Sequence, residues 1–401
     1  MFDAIFIGTS GLQTFSAGLK VISNNVTNLN TPGFKSADAQ FSNLYQADSG
    51  SGSGQLVSSG QRFGSGVMAG ETLVNFQPGE MRQTGNPLDL SVNGEGFFIT
   101  QEPGSNAQQA EYRYTRAGQF EFDKDGRLVV RGTDKQVVGL DDKGAQTPIT
   151  LDGLRIQDPK PTSTVTLTGN LSSSATEVTV STVKVIDAIG GEHVLKLVFK
   201  PKAGNPGSWT VAVFDGATEV ASGDVSFVDG RPANGSDSFS FSYTPPGVKT
   251  TSVKVELSKN ATSFDTGAMS SLALGSVDGY SVGSLTKVSF DADGVMSLSY
   301  SNGQSSKGPR IALAVFDTNG SLTPIGNNEF GSEAGQGLHI GAANQGIYGG
   351  IGSSQIEGSN VDLATEFSDL IVTQRGYQAA SRIVSTANEL LQDLYDMKGH
   401  R

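Results

Sequence analysis

The chain has 401 residues, with 28 Lys and Arg against 40 Asp and Glu, a formal net charge of −12 at pH 7, and no cysteine. The acid excess argues against nucleic acid and against an anionic membrane surface as partners, because both need clustered cations. The missing cysteine excludes disulfides and thiolate metal sites. Charged residues make up only 17%, and glycine reaches 52 residues, about twice its usual share. Glycine at that density marks many tight turns and suits an all-β body with a mild, polar surface.

The first predicted element is a helix over roughly residues 3–28. Leu12, Phe15, Leu19, Ile22, Val26 and Leu29 are spaced 3, 4, 3, 4, 3, with Ile5 extending the row upstream. That is a heptad-type apolar stripe, which suits pairing with a second helix. Thr31-Pro32-Gly33 supplies a stop. Met1 to Gly8 carries neither a basic segment nor a long apolar core, so the expectation is a cytoplasmic chain or one exported without a cleaved signal peptide. No stretch approaches the ~18–20 apolar residues of a membrane span.

Residues 48–60 are rich in Gly and Ser and read as a flexible insertion. Short alternating runs follow. Leu88, Leu90 and Val92 alternate up to Asn93-Gly94, and Phe97-Phe98-Ile99 follow; Tyr112, Tyr114, Phe120 and Phe122 lead to Lys124-Asp125-Gly126. Farther on come Val165/Leu167, Val178/Val180, Leu195/Leu197/Phe199, Trp209/Val211/Val213, Phe239/Phe241/Tyr243 and Val253/Val255/Leu257. Runs of this length between Gly, Asp and Pro predict antiparallel sandwiches or barrels. Residues 158–161 and 267–283 read as linkers that bracket a middle block.

The last predicted element is a helix over roughly 362–397. Leu363, Phe367, Leu370, Gln374 and Tyr377 step by 4, 3, 4, 3, and Val384 and Leu391 continue the row. Ser359 and Asp362 have capping-box spacing, and Asn360 and Asp362 are both good N-cap types. Two matching seams at opposite ends of a β body favour mutual pairing; two unrelated amphipathic helices on a globular core remain the alternative. Burial of one seam is smaller than the entropy of ordering the helix that carries it, so the ends are expected to depend on neighbouring copies and to order on assembly. The plan is nested: a helical part at 1–32 and 360–401, an extended connector at 33–70, an inner β domain at 71–147 and 277–359, and an inserted outer β domain at 148–276.

The residues of known chemistries are sparse. His193, His339 and His400 are the only histidines and lie far apart, which leaves no transition-metal pattern. Asp123-x-Asp125-Gly126 and Asp291-x-Asp293-Gly294 open like calcium loops but lack the acidic ligand at position 12, so both read as hairpin turns. Gly94-x-Gly96 precedes Phe-Phe rather than a helix, and no phosphate-loop or nucleophile-elbow pattern occurs. No catalytic residue, cofactor or metal is expected. A carbohydrate-active enzyme would need a cleft with paired carboxylates, and an exported β-rich adhesin would not need helical seams at both ends.

Four motifs carry a resemblance. Residues 10–35, with Ser23-Asn24-Asn25-Val26-Thr27-Asn28 and Asn30-Thr31-Pro32-Gly33-Phe34-Lys35, closely resemble the N-terminal signature of bacterial flagellar axial proteins of the rod and hook. Ile356-Glu357-Gly358-Ser359-Asn360-Val361-Asp362-Leu363 with Gln374-Arg375-Gly376-Tyr377 resembles their C-terminal signature. Leu88 to Phe98 and Tyr114-Thr115-Arg116-Ala117-Gly118 resemble two inner motifs. The middle block matches none. Its length is similar to that of hook members rather than distal rod members, and residues 48–60 are longer than a short hook member needs.

The resemblance implies a structural, self-assembling subunit and no enzyme. It implies an extracellular homopolymer, the curved hook that passes motor torque from rod to filament as a universal joint. The ends would form the inner tube as a coiled coil, with the β domains outside; packed ends would bear load while polar outer contacts and linker hinges yield. Its implied partners are the distal rod protein, the hook-filament junction protein, the hook cap and the flagellar type III export apparatus. The assembly seam is expected at Leu12, Phe15, Leu19, Ile22 and Val26 with Leu363, Phe367, Leu370, Tyr377, Val384 and Leu391. Asn24, Asn25 and Asn28 are candidates for hydrogen bonds inside the packed tube, with a solvated polar face as the alternative, and Gly33 and Gly96 for turns.

Overall fold

The computed structural model describes residues 2–45, 64–104, 111–317, 322–332 and 337–399; the Gly/Ser-rich stretch 48–60 lies outside them. The fold is mainly β with a helix at each end, α1 (Phe2–Thr27) and α2 (Leu363–Gly399). At 26 and 37 residues these are roughly 39 and 55 Å long. Asp362 caps α2: its Oδ1 accepts from the amides of Ala364 at 2.8 Å and Thr365 at 3.2 Å. Asn360, the other candidate cap, is used elsewhere.

The chain divides into two compact units. The first holds residues 1–151, 288–297 and 307–401. Its sheet is built by Ser305–Phe316, Gln136–Leu140, Phe97–Gln101, Arg113–Thr115, Glu329–Ser332 and Leu322–Gly326, adjacent in that order. Phe97, Ile99, Tyr114, Phe316 and Phe330 are buried together, and Phe76 packs edge-on to Phe97 at 5.6 Å. Two short pairs complete the unit: Gly350–Ser353 on Leu90–Asn93, and Gln355–Glu357 on Met81–Gln83.

The predicted connector 33–70 is shaped otherwise. Strands β1 (Ala37–Tyr45) and β2 (Gly64–Val74) pair antiparallel, with Phe41 opposite Ala69 and Asn43 opposite Val67. An isolated two-stranded ribbon is marginal in water. Here α1 supports it: Phe41 meets the Phe15 ring edge-on at 6.0 Å, and Thr14 Oγ1 donates to Val67 O at 3.2 Å. The register shifts around Phe41 and Tyr45 break the alternation, which hides these strands from a period-2 search.

The second unit holds residues 152–287 and 298–306. Ser238–Tyr243, Thr251–Leu257, Thr164–Thr168 and Ala273–Val277 form one sheet, and Val178–Ile186, Glu192–Pro201, Ser208–Asp215, Thr218–Val228 and Arg231–Pro232 form a second. Trp209, Phe199, Leu167, Leu195 and Val255 fill one shared core. The alternation is plain: Thr164–Thr168 buries Val165 and Leu167 and leaves the threonines half-buried. The two calcium-like sequences are turns closed by their own aspartates: Asp123 Oδ1 accepts from Arg127 N at 2.7 Å and Asp291 Oδ1 from Val295 N at 2.9 Å.

Candidate assembly site

α1 and α2 run antiparallel against each other. A Cβ built on Gly8 would lie 2.6 Å from Val384 Cγ2, one on Gly11 3.3 Å from Ala380, one on Gly18 3.3 Å from Thr373, and one on Gly376 2.6 Å from the Phe15 ring. The buried positions of α1 are Gly8, Gly11, Thr14, Gly18, Ile22 and Asn25; those of α2 are Glu366, Thr373, Ala380 and Ala387. The helices therefore meet on small side chains, which lets the backbones approach closely. Phe15 fits over the bare backbone of Gly376.

This seam differs from the expected one. Ile22 is buried, and Leu12, Phe15, Leu19, Val26, Leu370, Val384 and Leu391 are half-buried. Leu363, Phe367 and Tyr377 are exposed in the single chain, Phe367 by 52%. The physical reason is angular. The 3,4 row of large residues on α2 is centred to one side of the row of small residues, and close helix contact selects the small row. The signal that marks the seam is glycine and alanine at helical spacing: residues 8, 11 and 18, then 376, 380 and 387.

The part of α2 left open carries apolar rows among polar residues. Val372, Ile383, Leu390 and Met397 are exposed and spaced 11, 7 and 7, which places them on one stripe. Leu363, Phe367 and Ile371 form a second exposed row at i, i+4. On α1, Phe6 and Ile7 are exposed as well. Covering surface of this extent contributes on the order of 10 kcal/mol per chain. Exposed apolar stripes of this length mark protein–protein contact.

Asn25 is the polar element of the seam. Its Nδ2 donates to Glu366 Oε1 at 2.8 Å and to Ala37 O at 2.9 Å, and its Oδ1 accepts from Ala37 N at 3.1 Å. One amide thus fixes α1 to α2 and to β1. Burial raises the Glu366 pKa; the Asn25 hydrogen bond opposes this, and Asp369, Asp38 and Asp362 add to it. Asn24 and Asn28 differ from Asn25: the Asn28 side chain donates to Asn24 O and Oδ1 on the exposed side of α1.

Below the helices, all four motif segments converge on Glu357. Its Oε1 accepts from Lys35 Nζ at 2.5 Å and Gly79 N at 2.9 Å, and its Oε2 accepts from Arg116 Nη1 at 3.2 Å. Arg116 Nη2 donates to Gly94 O at 2.9 Å, and its guanidinium lies over the Phe97 ring at 5.1 Å. The side chains of Lys35 and Glu357 are fully buried and that of Arg116 nearly so. Desolvation lowers the Lys35 pKa, and Glu357 opposes that shift. Gly33 adopts φ +70° and lies against the Arg116–Ala117 backbone, leaving no room for a side chain; its amide donates to Glu357 O at 2.8 Å. Asn360 locks the same junction, accepting from Ser36 N at 2.7 Å and donating to Asn75 O at 2.8 Å. Spacing alone does not join Lys35, Arg116 and Glu357, because they lie on three distant segments.

The two chain ends thus form a helical pair that keeps exposed apolar rows and is tied to a β body by a buried ionic junction. Three family models match in the same order along the chain: "Flagella basal body rod protein" at residues 5–35, "Flagellar hook protein FlgE/F/G D1 domain" at 91–183, and "Flagellar basal body rod FlgEFG protein C-terminal" at 353–397. The chain is similar to the flagellar rod and hook family at both ends and in the inner β region. Within it, "Flagellar hook protein FlgE" of Borreliella burgdorferi is 28% identical over a 448-residue alignment that covers 99% of this chain and 100% of the relative. The protein of the same name from Rhizobium meliloti is 29% identical, with 99% of each chain covered. A crystal structure of the Helicobacter pylori flagellar hook protein FlgE2 is similar over 69% of this chain and 98% of that one, at 14% identity and a TM-score of 0.46.

Proposed function

We infer that this chain is the structural subunit of the flagellar hook, a homopolymer outside the cell. The observation that carries this reading is the terminal helix pair: it buries Gly8, Gly11, Gly18, Ala380 and Ala387 within one chain and leaves Phe367, Val372, Ile383 and Leu390 exposed. In the polymer, α1 and α2 form the tube wall as a coiled coil. The size of the second unit favours the hook over a distal rod member. Residues Leu12, Phe15, Leu19, Ile22, Val26, Leu370, Val384 and Leu391 support the helix pair, while Leu363, Phe367 and Tyr377 face neighbouring copies.

The finer role follows from the family. The tube acts as a flexible universal joint between rod and filament, grows on the distal rod protein under a hook cap, and ends at a hook-filament junction protein. Subunits reach it through the flagellar type III export apparatus. The role is mechanical and needs no cofactor. Electron microscopy of the purified, concentrated chain tests the reading. Curved hollow tubes are the expected result; a chain that stays monomeric or forms only amorphous aggregate would contradict it.

A further inference from the structure

The chain enters and leaves the sandwich of the second unit through 158–164 and 277–283, which overlap the predicted linkers 158–161 and 267–283; the second of these also contains the sandwich strand Ala273–Val277. They are tied to each other. Lys160 and Tyr280 exchange backbone hydrogen bonds at 2.9 and 3.0 Å. Asp278 Oδ1 accepts from the amides of Ser163 and Thr164, both at 2.8 Å, and Oδ2 accepts from Ser163 Oγ at 2.6 Å and pairs with Lys160 Nζ at 3.3 Å. Thr162, fully buried, sits flat on Gly279, where an added Cβ would lie 2.7 Å from the Thr162 nitrogen. Thr162 also exchanges hydrogen bonds with Ile186, its amide donating to Ile186 O at 2.9 Å and its Oγ1 accepting from Ile186 N at 2.8 Å. On the other side of this neck, Ile156 and Gln157 pair with Ser284 and Gly283 in the stalk, and Asn302 Nδ2 donates to Gln157 Oε1 and Ser281 O.

Free Pro- and Gly-containing linkers leave a domain to swing. A carboxylate holding two successive amides, a hydroxyl and an ammonium from the opposite strand removes that freedom. We propose that Asp278 is a positioning residue: its carboxylate clasps the neck and fixes the direction in which the sandwich leaves its stalk. The two strands of the neck then act as one short, stiff beam, and bending within the second unit is suppressed. The clasp stands on the geometry of a single chain. Its consequence, that the sandwich meets other copies in one fixed orientation, rests on the hook reading. Burial by itself would raise the Asp278 pKa, but the hydrogen bonds from Ser163 and Thr164 and the Lys160 ammonium outweigh it and hold the group at about 2, so the clasp stays charged and closed at neutral pH.

The chain lacks cysteine, so a labelled pair is introduced cleanly. Glu219→Cys in the sandwich and Lys287→Cys in the stalk are both exposed positions. Pulsed dipolar spectroscopy of the spin-labelled, dilute full chain reads the distance distribution between them. The expected result is one narrow distance in the parent and a distribution at least about twofold broader in Asp278→Ala. Trp209, buried in the sandwich core, must keep its emission and its unfolding transition in that variant. Equal widths in parent and variant would overturn the proposal. Broadening accompanied by loss of the Trp209 transition would overturn it too, because Asp278 would then be part of the sandwich's own fold. If Asp278→Ala does not fold, Asp278→Asn decides on the same two readouts. None of these results depends on polymer formation, so failure of the clasp and failure of the hook reading are separable.

Discussion

At the scale of single residues, buried charge and buried shape set the junction. Glu357 is a carboxylate held between two buried cations, Lys35 and Arg116. Removing one member of such a set leaves uncompensated charge in a dry site, at a cost of about 3–5 kcal/mol. Glu357→Ala is therefore expected to lower the stability of the inner β body by that amount in urea unfolding, while the Trp209 transition of the second unit stays in place. Gly376→Ala sets two effects against each other. Alanine gains about 1 kcal/mol of helix propensity, but its Cβ would lie 2.6 Å from the Phe15 ring, and overpacking of that kind costs about 1–3 kcal/mol. The expected outcome is a net loss in Gly376→Ala and a gain in Gly376→Ala with Phe15→Leu, read as thermal stability of the helical signal.

Glu366 gives the residue scale its pH dependence. Burial raises its folded pKa above the ordinary 4.5. A carboxyl group shifted upward favours the folded pair fully below its unfolded value, and that contribution is lost as pH rises through the folded value. The helical signal of the paired ends is thus expected to be weaker at neutral pH than at a pH below the ordinary 4.5. Glu366→Gln keeps a side-chain oxygen for Asn25 and removes the charge; circular dichroism melts at the two pH values should then coincide. A steeper pH dependence in Glu366→Gln than in the parent would reject this assignment.

At the scale of elements, the two rows of α2 have separable jobs. Ile383→Asp with Leu390→Asp alters only exposed positions. That variant is expected to keep its helix pair and to lose polymerisation, as read by sedimentation and circular dichroism. Gly11→Leu places bulk against Ala380 and is expected to open the pair itself. Both helices were legible from their 3,4 apolar spacing, and so were the strands around Val165, Trp209 and Phe241, because each alternates cleanly between core and surface. The contact face of the helices was not. Large residues dominate a hydrophobicity count, whereas glycine adds little to it and yet decides how near two backbones come. The ribbon β1–β2 is not legible in the sequence because Gly66 and Gly70 and two register shifts interrupt its alternation. The junction is invisible to any local pattern, since Lys35, Arg116 and Glu357 are joined only by the folded chain.

At the scale of the whole molecule, the two terminal helices pair with each other, and the regular elements described between them are strands. The first unit draws its residues from both ends of the chain, so Lys35 finds its partner only when a segment more than three hundred positions later arrives. The central claim is that the paired ends build the polymer and the β units do not. Electron microscopy of the full chain beside a chain lacking residues 1–30 and 363–401, under identical polymerising conditions, tests it most directly. Tubes are expected from the full chain and none from the shortened one, with the Trp209 transition unchanged. Tubes from the shortened chain would contradict it.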